Sequence, residues 1–500
     1  QKLYRKLRRS DLELGEKLLD ESIRIERAEL EVLESQGTLF GGSVPESQPR
    51  ILSRISALEN ERDRLRNGEL AFFSFDLHFS SVMSLGGFDL VVGNPPWVRG
   101  SKLDPDLRRA LRDRYDWLRP EHRSSRSPFP QFELSVLFLE KAGSIVRQNG
   151  AVSMLLPGKI LDAFYADRCR RELTTTHSLL ALDDWTRDKS LFRADTFPVG
   201  LTFKAGASDS DVRVTRDGHQ WTTAKGRLQI ADGAGGWTLV PPDVMSVLRE
   251  TWSRHPSLSS TLGRQPVMGV KTGANDLFFL DESKLGAEGL TTPDGVTIPW
   301  SALTRCVRGR DVRRWCANDS RWMIWPEEAG NAAWKREYAA AKGIAAHDLR
   351  LAYVRPEHLG WKVVWKDLAT RLEAVVVPDT VEIRGRRLPL IPNQTLYCLD
   401  ASSLDETYLF AAILNSSLVS ALACTIAEPA KDNHFRFFGR TIAALPWPRI
   451  RPGDEIGGHL VRLSRAMHSG RADAQHEIDQ LVCQLYGVDP DVVQILARWL

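Results

Sequence analysis

The chain has 500 residues, 42% hydrophobic and 26% charged, with a net charge of +3. That length carries about three domains of roughly 150 residues, and the near-balanced charge does not by itself announce a nucleic-acid binder. Apolar runs such as SMLLP and TYLFAAIL fall far short of the ~20 residues that span a bilayer, and no basic-then-apolar leader opens the chain. Neither a membrane nor a secreted protein is expected. The six cysteines (Cys169, Cys306, Cys316, Cys398, Cys424 and Cys483) form no CxxC pair, which excludes a zinc ribbon and points to a reducing cytoplasm.

Leu3 to about Leu33 reads as an amphipathic helix bearing Leu12, Leu14, Leu18, Leu19, Ile23 and Ile25 among charges. Gly41-Gly42 and Pro45 break it. A second helix from Pro49 to Arg66 carries Ile51, Ile55, Leu58 and Leu65 on one face, so the two form a helical hairpin. Strands and helices then alternate. Phe88 to Val92 is a short β-type run that stops at Gly93, and Leu107–Tyr115 and Phe132–Arg147 are helical. Asn149-Gly150 ends the second helix, Ala151–Leu156 is a buried strand closed by Pro157, and Ile160–Leu173 is helical again. Ser178–Asp183 and Val199–Lys204 are strands. This β-α-β-α-β-β order describes half of a doubly wound α/β sheet.

Beyond it, DVRVT, RLQIA and WTLV suggest a small β excursion that ends at Pro241-Pro242. Residues 255–450 mix short strands, Gly turns and one strongly apolar helix, Tyr408–Leu422, and the last 45 residues are helical.

Asn94-Pro95-Pro96-Trp97 stands at the carboxyl end of the FDLVV strand, the edge where open α/β sheets bind ligands. Taken bare, NPP is more often a strand-ending turn. Here GGFDLVVGNPPWVRG resembles the NPPY-type motif of S-adenosylmethionine-dependent amino-methyltransferases. The segments QFELSVLFLEKA, NGAVSMLLPGKIL and LFRADTFPVGLTFK look like that family's following helix, next strand and late hairpin. The second half, with KTGANDLFFL, VRGRDVRRW, PNQTLYCL, YLFAAILNSSLVSALA, FFGRTIAALPWP and EIDQLVCQLYGVDP, looks like the recognition region of TaqI-type and type IIG restriction-modification methylases. The resemblance runs from about Phe72 onward.

It implies a fold: an α/β, partial class I (Rossmann-like) methyltransferase sheet, then a mixed α+β target-recognition domain and a helical C-terminus. The layout would be a helical spacer (1–70), a catalytic half (71–206), a β excursion and linker (207–250), a recognition domain (251–450) and C-terminal helices (451–500). It implies an activity, transfer of methyl from S-adenosylmethionine to adenine N6 in double-stranded DNA within a restriction-modification or phage-defence system. An adenine amine is a poor nucleophile because its lone pair is delocalised into the ring. The Asn94 side-chain oxygen and the carbonyl between Pro95 and Pro96 can accept its two N–H groups and aim the lone pair at the methyl. Trp97 offers a stacking face for an extruded base, and Phe197 is the expected second clamp. Lys159 reads as a solvated helix-start lysine or, failing that, a phosphate contact.

Arg305, Arg308, Arg310, Arg313 and Arg314 cluster before Trp315, and Arg384, Arg386, Arg387, Lys431, Arg436 and Arg440 add positive charge near Phe435, Phe437 and Phe438. As a set they are the expected DNA contacts, to phosphates or to guanine edges. The family's Gly-rich cofactor loop and ribose-binding acid are not found before Asn94. Asp232-Gly-Ala-Gly-Gly236 leads into WTLVPP and is expected to be a hairpin turn. A preceding or separate chain segment is therefore expected to supply the cofactor loop, and a nuclease if there is one. Pro378-Asp379 with Glu382 is too tightly spaced for a PD-(D/E)xK nuclease and reads as an exposed turn. Two other readings stay open. One is a DNA-binding specificity fragment without activity of its own; the other is a methyltransferase acting on a protein glutamine or on RNA.

Overall fold

A computed structural model describes residues 48–67, 75–118, 132–186, 197–230, 236–280, 285–327, 332–430 and 434–499, with scattered positions between 16 and 31. The chain divides into two compact units, Gln1–Val92 with Lys141–Val152, and Gly93–Glu140 with Ser153–Leu500. It is a mixed α/β fold with several sheets and a helical C-terminus.

In the first unit, the helix Gln48–Arg66 packs its expected face, with Ile51 and Ile55 buried against Ile23 and Leu58 beside them. Of the first predicted helix, the described positions are helical, and Leu19 and Ile23 are buried. Leu12, Leu14, Leu18 and Ile25 lie outside the described residues. Ion pairs such as Arg62–Asp20 at 2.9 Å and Arg27–Glu59 at 2.5 Å flank the seam. Exposed pairs of this kind contribute little, so the isoleucine stripe sets the register.

Strand β1 (Phe88–Gly93) is an edge strand beside β2 (Val146–Pro157). Its apolar side chains Leu90 and Val92 are 58% and 70% exposed. Asn149-Gly150 does not end the preceding helix. That helix, Leu134–Ile145, stops four residues earlier, and both residues lie inside β2, Asn149 with a left-handed φ of 66°. Gly150 is required there because a Cβ would stand 2.9 Å from the carbonyl oxygens of Phe88 and Asp89.

The second unit takes the end of β2 and then, across the sheet, β4 (Pro198–Lys204), β3 (Ser178–Asp184), β5 (Val212–Arg216) and β6 (His219–Thr223). Strand β3 runs antiparallel to β4 and parallel to β5, with a bulge between Leu179 and Ala181. Two expected strands are absent. RLQIA and WTLV bury Leu228, Ile230, Trp237 and Leu239 without joining a ladder, while the more polar His219–Thr223 pairs with β5 instead. Ile160–Leu173 is not one helix either; it breaks into short 3₁₀ turns and a helix that starts at Asp167.

Farther on, a five-stranded sheet orders Thr380–Ile383, Arg386–Pro392, Leu303–Val307, Arg321–Ile324 and Phe279–Leu280. A four-stranded sheet centred on Lys362–Lys366 and Leu396–Asp400 packs into the largest core, together with the helices that end the chain. The predicted helix Tyr408–Leu422 is two helices, Leu404–Leu414 and Ser417–Ile426, bent by 70°. Among the described residues no single helix is long and apolar enough to cross a membrane.

Candidate functional site

Where β1 ends, Gly93 lies against Met154 and the chain enters Asn94-Pro95-Pro96-Trp97 in irregular conformation. Two prolines fix φ and withhold two N–H donors, so no helix can run through this segment. Asn94 and Pro96 are exposed and Pro95 is buried. Among the described residues, none donates a backbone hydrogen bond to the carbonyls of Asn94, Pro95 or Pro96. Trp97 is half-buried, its indole Nε1 donating to the Leu155 carbonyl of β2 at 3.4 Å. Val98–Gly100 then runs against Phe132–Leu134, held by Gly100 N to Phe132 O at 2.7 Å and Leu134 N to Val98 O at 3.0 Å. Asn94 and Trp97 thus sit on a segment braced on both sides.

Three residues beyond Leu155, Gly158 begins the wall of a 540 Å³ cavity that also takes in Phe197, Trp237, Asp162, Ile426 and Phe435. Gly158 N donates to the Phe197 carbonyl at 2.5 Å, and a Cβ at Gly158 would fall 2.9 Å from that oxygen. Gly236 is tighter still, since a Cβ there would stand 1.8 Å from the Leu161 carbonyl. The expected second clamp, Phe197, lines this cavity. Asn94, Pro95, Pro96 and Trp97 are not among its lining residues.

Lys159 is not the solvated lysine expected. Its Nζ pairs with Glu428 Oε1 at 2.8 Å, a contact 269 residues apart in sequence. Asp162, three residues further along the same segment, had no sequence signal at all. Both of its carboxylate oxygens are sealed from solvent without a hydrogen-bond partner of full geometry among the described residues, although its own backbone N–H favours the charged form. Burial, then the nearby Glu428 charge, pushes its carboxyl up to about 7, against the opposing pull of Arg170 and Lys159. Asp162 also borders a second cavity of 780 Å³, whose wall includes Arg171, Lys225, Phe438 and Arg440.

The predicted arginines fall into two groups. Arg305 is buried, its Nε donating to Ser320 Oγ at 2.9 Å with the guanidinium 4.8 Å from the Trp322 ring centre. Arg308 is bidentate to Asp311 at 2.7 and 2.9 Å, and Arg314 turns inward to the Asn415 carbonyl, where burial lowers its pKa. Arg436 is tied to Asp367. Arg310, Arg313 and Arg440, by contrast, are exposed. Arg440 and Arg436 each lie 4.8 Å from the Phe438 ring centre. Lys431 lies outside the described residues, as does the predicted turn at 232–235. Asp379 caps Thr380 N at 2.8 Å in a partly buried turn, not an exposed one. Among the described residues no cluster of three or more His, Cys, Asp or Glu could hold a metal.

Residues 17–192 match the Eco57I restriction-modification methylase family. The type II restriction enzyme and methyltransferase RM.Eco57I of Escherichia coli is 22% identical over 39% of this chain and 20% of its own length. The type II methyltransferase M.PaeR7I of Pseudomonas aeruginosa is 23% identical over 41% of this chain and 37% of its own. The chain therefore spans only a fifth to two-fifths of the length of these relatives. Among solved structures, the type IIL restriction-modification enzyme MmeI in complex with DNA is 15% identical over 82% of this chain and 57% of that one. Its TM-score of 0.49 is too low to carry a structural inference.

Proposed function

We propose that the chain, whose residues 17–192 match the Eco57I restriction-modification methylase family, carries the acceptor-base half of a site-specific DNA adenine-N6 methyltransferase serving restriction-modification or phage defence in the cytoplasm. The observation that carries this reading is the Asn94–Trp97 segment at the carboxyl end of β1, where Asn94 and Pro96 are exposed and, among the described residues, no backbone N–H claims the carbonyls of Asn94, Pro95 or Pro96. The Asn94 Oδ1 and the Pro95 carbonyl take the two N–H groups of the amine. That draws the nitrogen toward tetrahedral geometry and frees its lone pair. Trp97, anchored through Leu155, presents the flat surface on which the extruded base stacks, and Phe197 closes the other side.

S-adenosylmethionine is the methyl donor this chemistry requires, and the described residues do not make its seat. They contain no Gly-rich turn leading from a strand into a helix, and Gly236 is consumed by close packing on Leu161. The exposed edge of β1, with Leu90 and Val92 uncovered, is where a further strand carrying the cofactor loop would pair, from another segment or a separate chain. The same deficiency favours the second reading, a DNA-binding specificity fragment. Exposed Arg310, Arg313 and Arg440 are the phosphate contacts in either case.

One substitution separates the two. In the chain supplied with its cofactor-binding half, Asn94→Ala should slow methyl transfer by two to three orders of magnitude, as for loss of one preorganised hydrogen-bonding group worth ~3–4 kcal/mol. DNA affinity should be unchanged. Transfer at the unsubstituted rate would remove Asn94 from the chemistry, and no transfer by the complemented wild type would leave the specificity fragment.

A further inference from the structure

The 540 Å³ cavity falls within the usual size of a small-ligand site and is walled by three aromatic side chains, Phe197, Trp237 and Phe435. Its tight places are built by glycine. A Cβ at Gly158 would press on Phe197, and one at Gly236 would collide with the turn that carries Asp162. Set into that wall is a carboxyl group without a partner. Leaving a buried acceptor unpaired is costly, and more so for a charged one. No hydrogen bond holds the Asp162 side chain where it stands, so turning it toward a ligand breaks none.

We infer that this cavity receives a flat, uncharged heteroaromatic ring, a nucleobase, and that Asp162 reads one of its ring nitrogens. The inference rests on the methyl-transfer reading and adds a specificity-determining residue to it. A neutral carboxyl donates one O–H, whereas a carboxylate only accepts. The O–H of a neutral carboxyl needs an acceptor, and the acceptors on the ring of an adenine are its nitrogens. Adenine carries such acceptors. Guanine carries an N–H at the corresponding Watson–Crick position and would face a donor with a donor.

The groups around Asp162 keep it protonated near neutrality. Burial has the largest effect, and Glu428, from the strand at Glu428–Pro429, adds a second negative charge. Arg170 and Lys159 oppose them, but each is engaged elsewhere. Arg170 donates to the Ile160 carbonyl and pairs with Asp167, and Lys159 pairs with Glu428. Tyr165, also close, has its phenol pKa raised by burial and stays a neutral neighbour. The donor is therefore present below pH 7 and disappears above it.

The test uses the full chain with free nucleosides as probes, followed by saturation-transfer NMR at pH 6 and pH 8.5. Adenosine should bind at pH 6 and weaken about tenfold or more at pH 8.5, whereas guanosine should bind poorly at pH 6 and gain at pH 8.5, where the carboxylate accepts its N–H. Asp162→Asn keeps a donor that cannot ionise, so its adenosine affinity should become independent of pH. Asp162→Ala should bind weakly throughout. 1-Deazaadenosine and 7-deazaadenosine identify the nitrogen, since only the analogue lacking it should lose affinity. Unaltered pH dependence in Asp162→Asn, full affinity in Asp162→Ala, or no adenosine binding by the wild type would overturn the assignment. Methyl transfer in the complemented protein separates this from the parent reading. If Asn94→Ala abolishes transfer while Asp162→Ala keeps the wild-type rate and base preference, Asp162 loses its role and the methyltransferase reading stands. If adenosine binds as described but no complemented protein transfers methyl, the cavity stands and the methyltransferase reading falls.

Discussion

At the scale of single residues, Asp162 carries a cost that can be measured apart from any ligand. Its carboxyl lies at about 7 in the folded chain against an ordinary 3.8. A carboxyl raised on folding binds its proton more tightly in the native state, so the native state is not penalised below about pH 4. The penalty grows as pH rises to about 7, reaching on the order of 4 kcal/mol once both states are ionised. Asp162→Asn removes the titration. The variant should therefore gain stability over the wild type between pH 4 and pH 7, with the difference level above that. Urea unfolding at pH 4.5 and pH 8 compares the two, and an equal difference at both values would mean that Asp162 ionises freely in the folded protein. Neither this residue nor the Lys159–Glu428 pair could be read from the chain. A buried carboxyl has no periodicity, and a partner 269 positions away leaves no local trace. Asn94–Trp97 was legible because prolines and a strand end are local events.

Among the elements, the bend between Leu404–Leu414 and Ser417–Ile426 shows how local chemistry overrides apolar patterning. The run is hydrophobic throughout and reads as one helix. It breaks because Asn415 turns its side-chain amide onto Ala374, accepting from Ala374 N and donating to Ala374 O, each at 2.8 Å. Ser416 then restarts the chain, its Oγ accepting from Val419 N at 3.2 Å and donating to Ile413 O at 2.7 Å. The cap signal was present as Asn-Ser-Ser and was outweighed by the leucines around it. Ser416→Ala should destabilise the chain by about 1–2 kcal/mol, the usual value of an N-cap, with the helix content by circular dichroism little changed. A cost below ~0.5 kcal/mol would show that tertiary packing alone makes the bend. Strands β3 and β4 followed from alternation, whereas RLQIA and WTLV did not become strands. Their apolar residues are buried as single anchors, such as Trp237, whose backbone N–H bonds the Leu161 carbonyl at 2.6 Å. Spacing reports burial, and burial does not require a ladder.

For the whole molecule, a net charge of +3 in 500 residues means that any attraction to DNA comes from how the charge is arranged. Many arginines are spent internally. Arg305 and Arg308 serve Ser320 and Asp311, and Arg314 and Arg436 serve Asn415 and Asp367. Arg310 and Arg313 stand exposed on the turn that the Arg308–Asp311 pair holds in shape. If they contact phosphates, each contributes about 0.9 to the slope of log affinity against log salt, through counterion release. Replacing both by alanine in the full chain should flatten that slope by about 2, with the thermal midpoint unmoved. Arg308→Ala should do the reverse. It leaves the 7%-exposed Asp311 carboxylate without its guanidinium partner and should cost about 3 kcal/mol of stability, with little direct effect on the slope while the chain remains folded. Titrations with a duplex of mixed sequence at 50 and 200 mM salt distinguish these outcomes. A slope unchanged by the double substitution would move the DNA-facing surface away from residues 310–313 and toward the second cavity, where Arg171, Lys225 and Arg440 are the remaining cations.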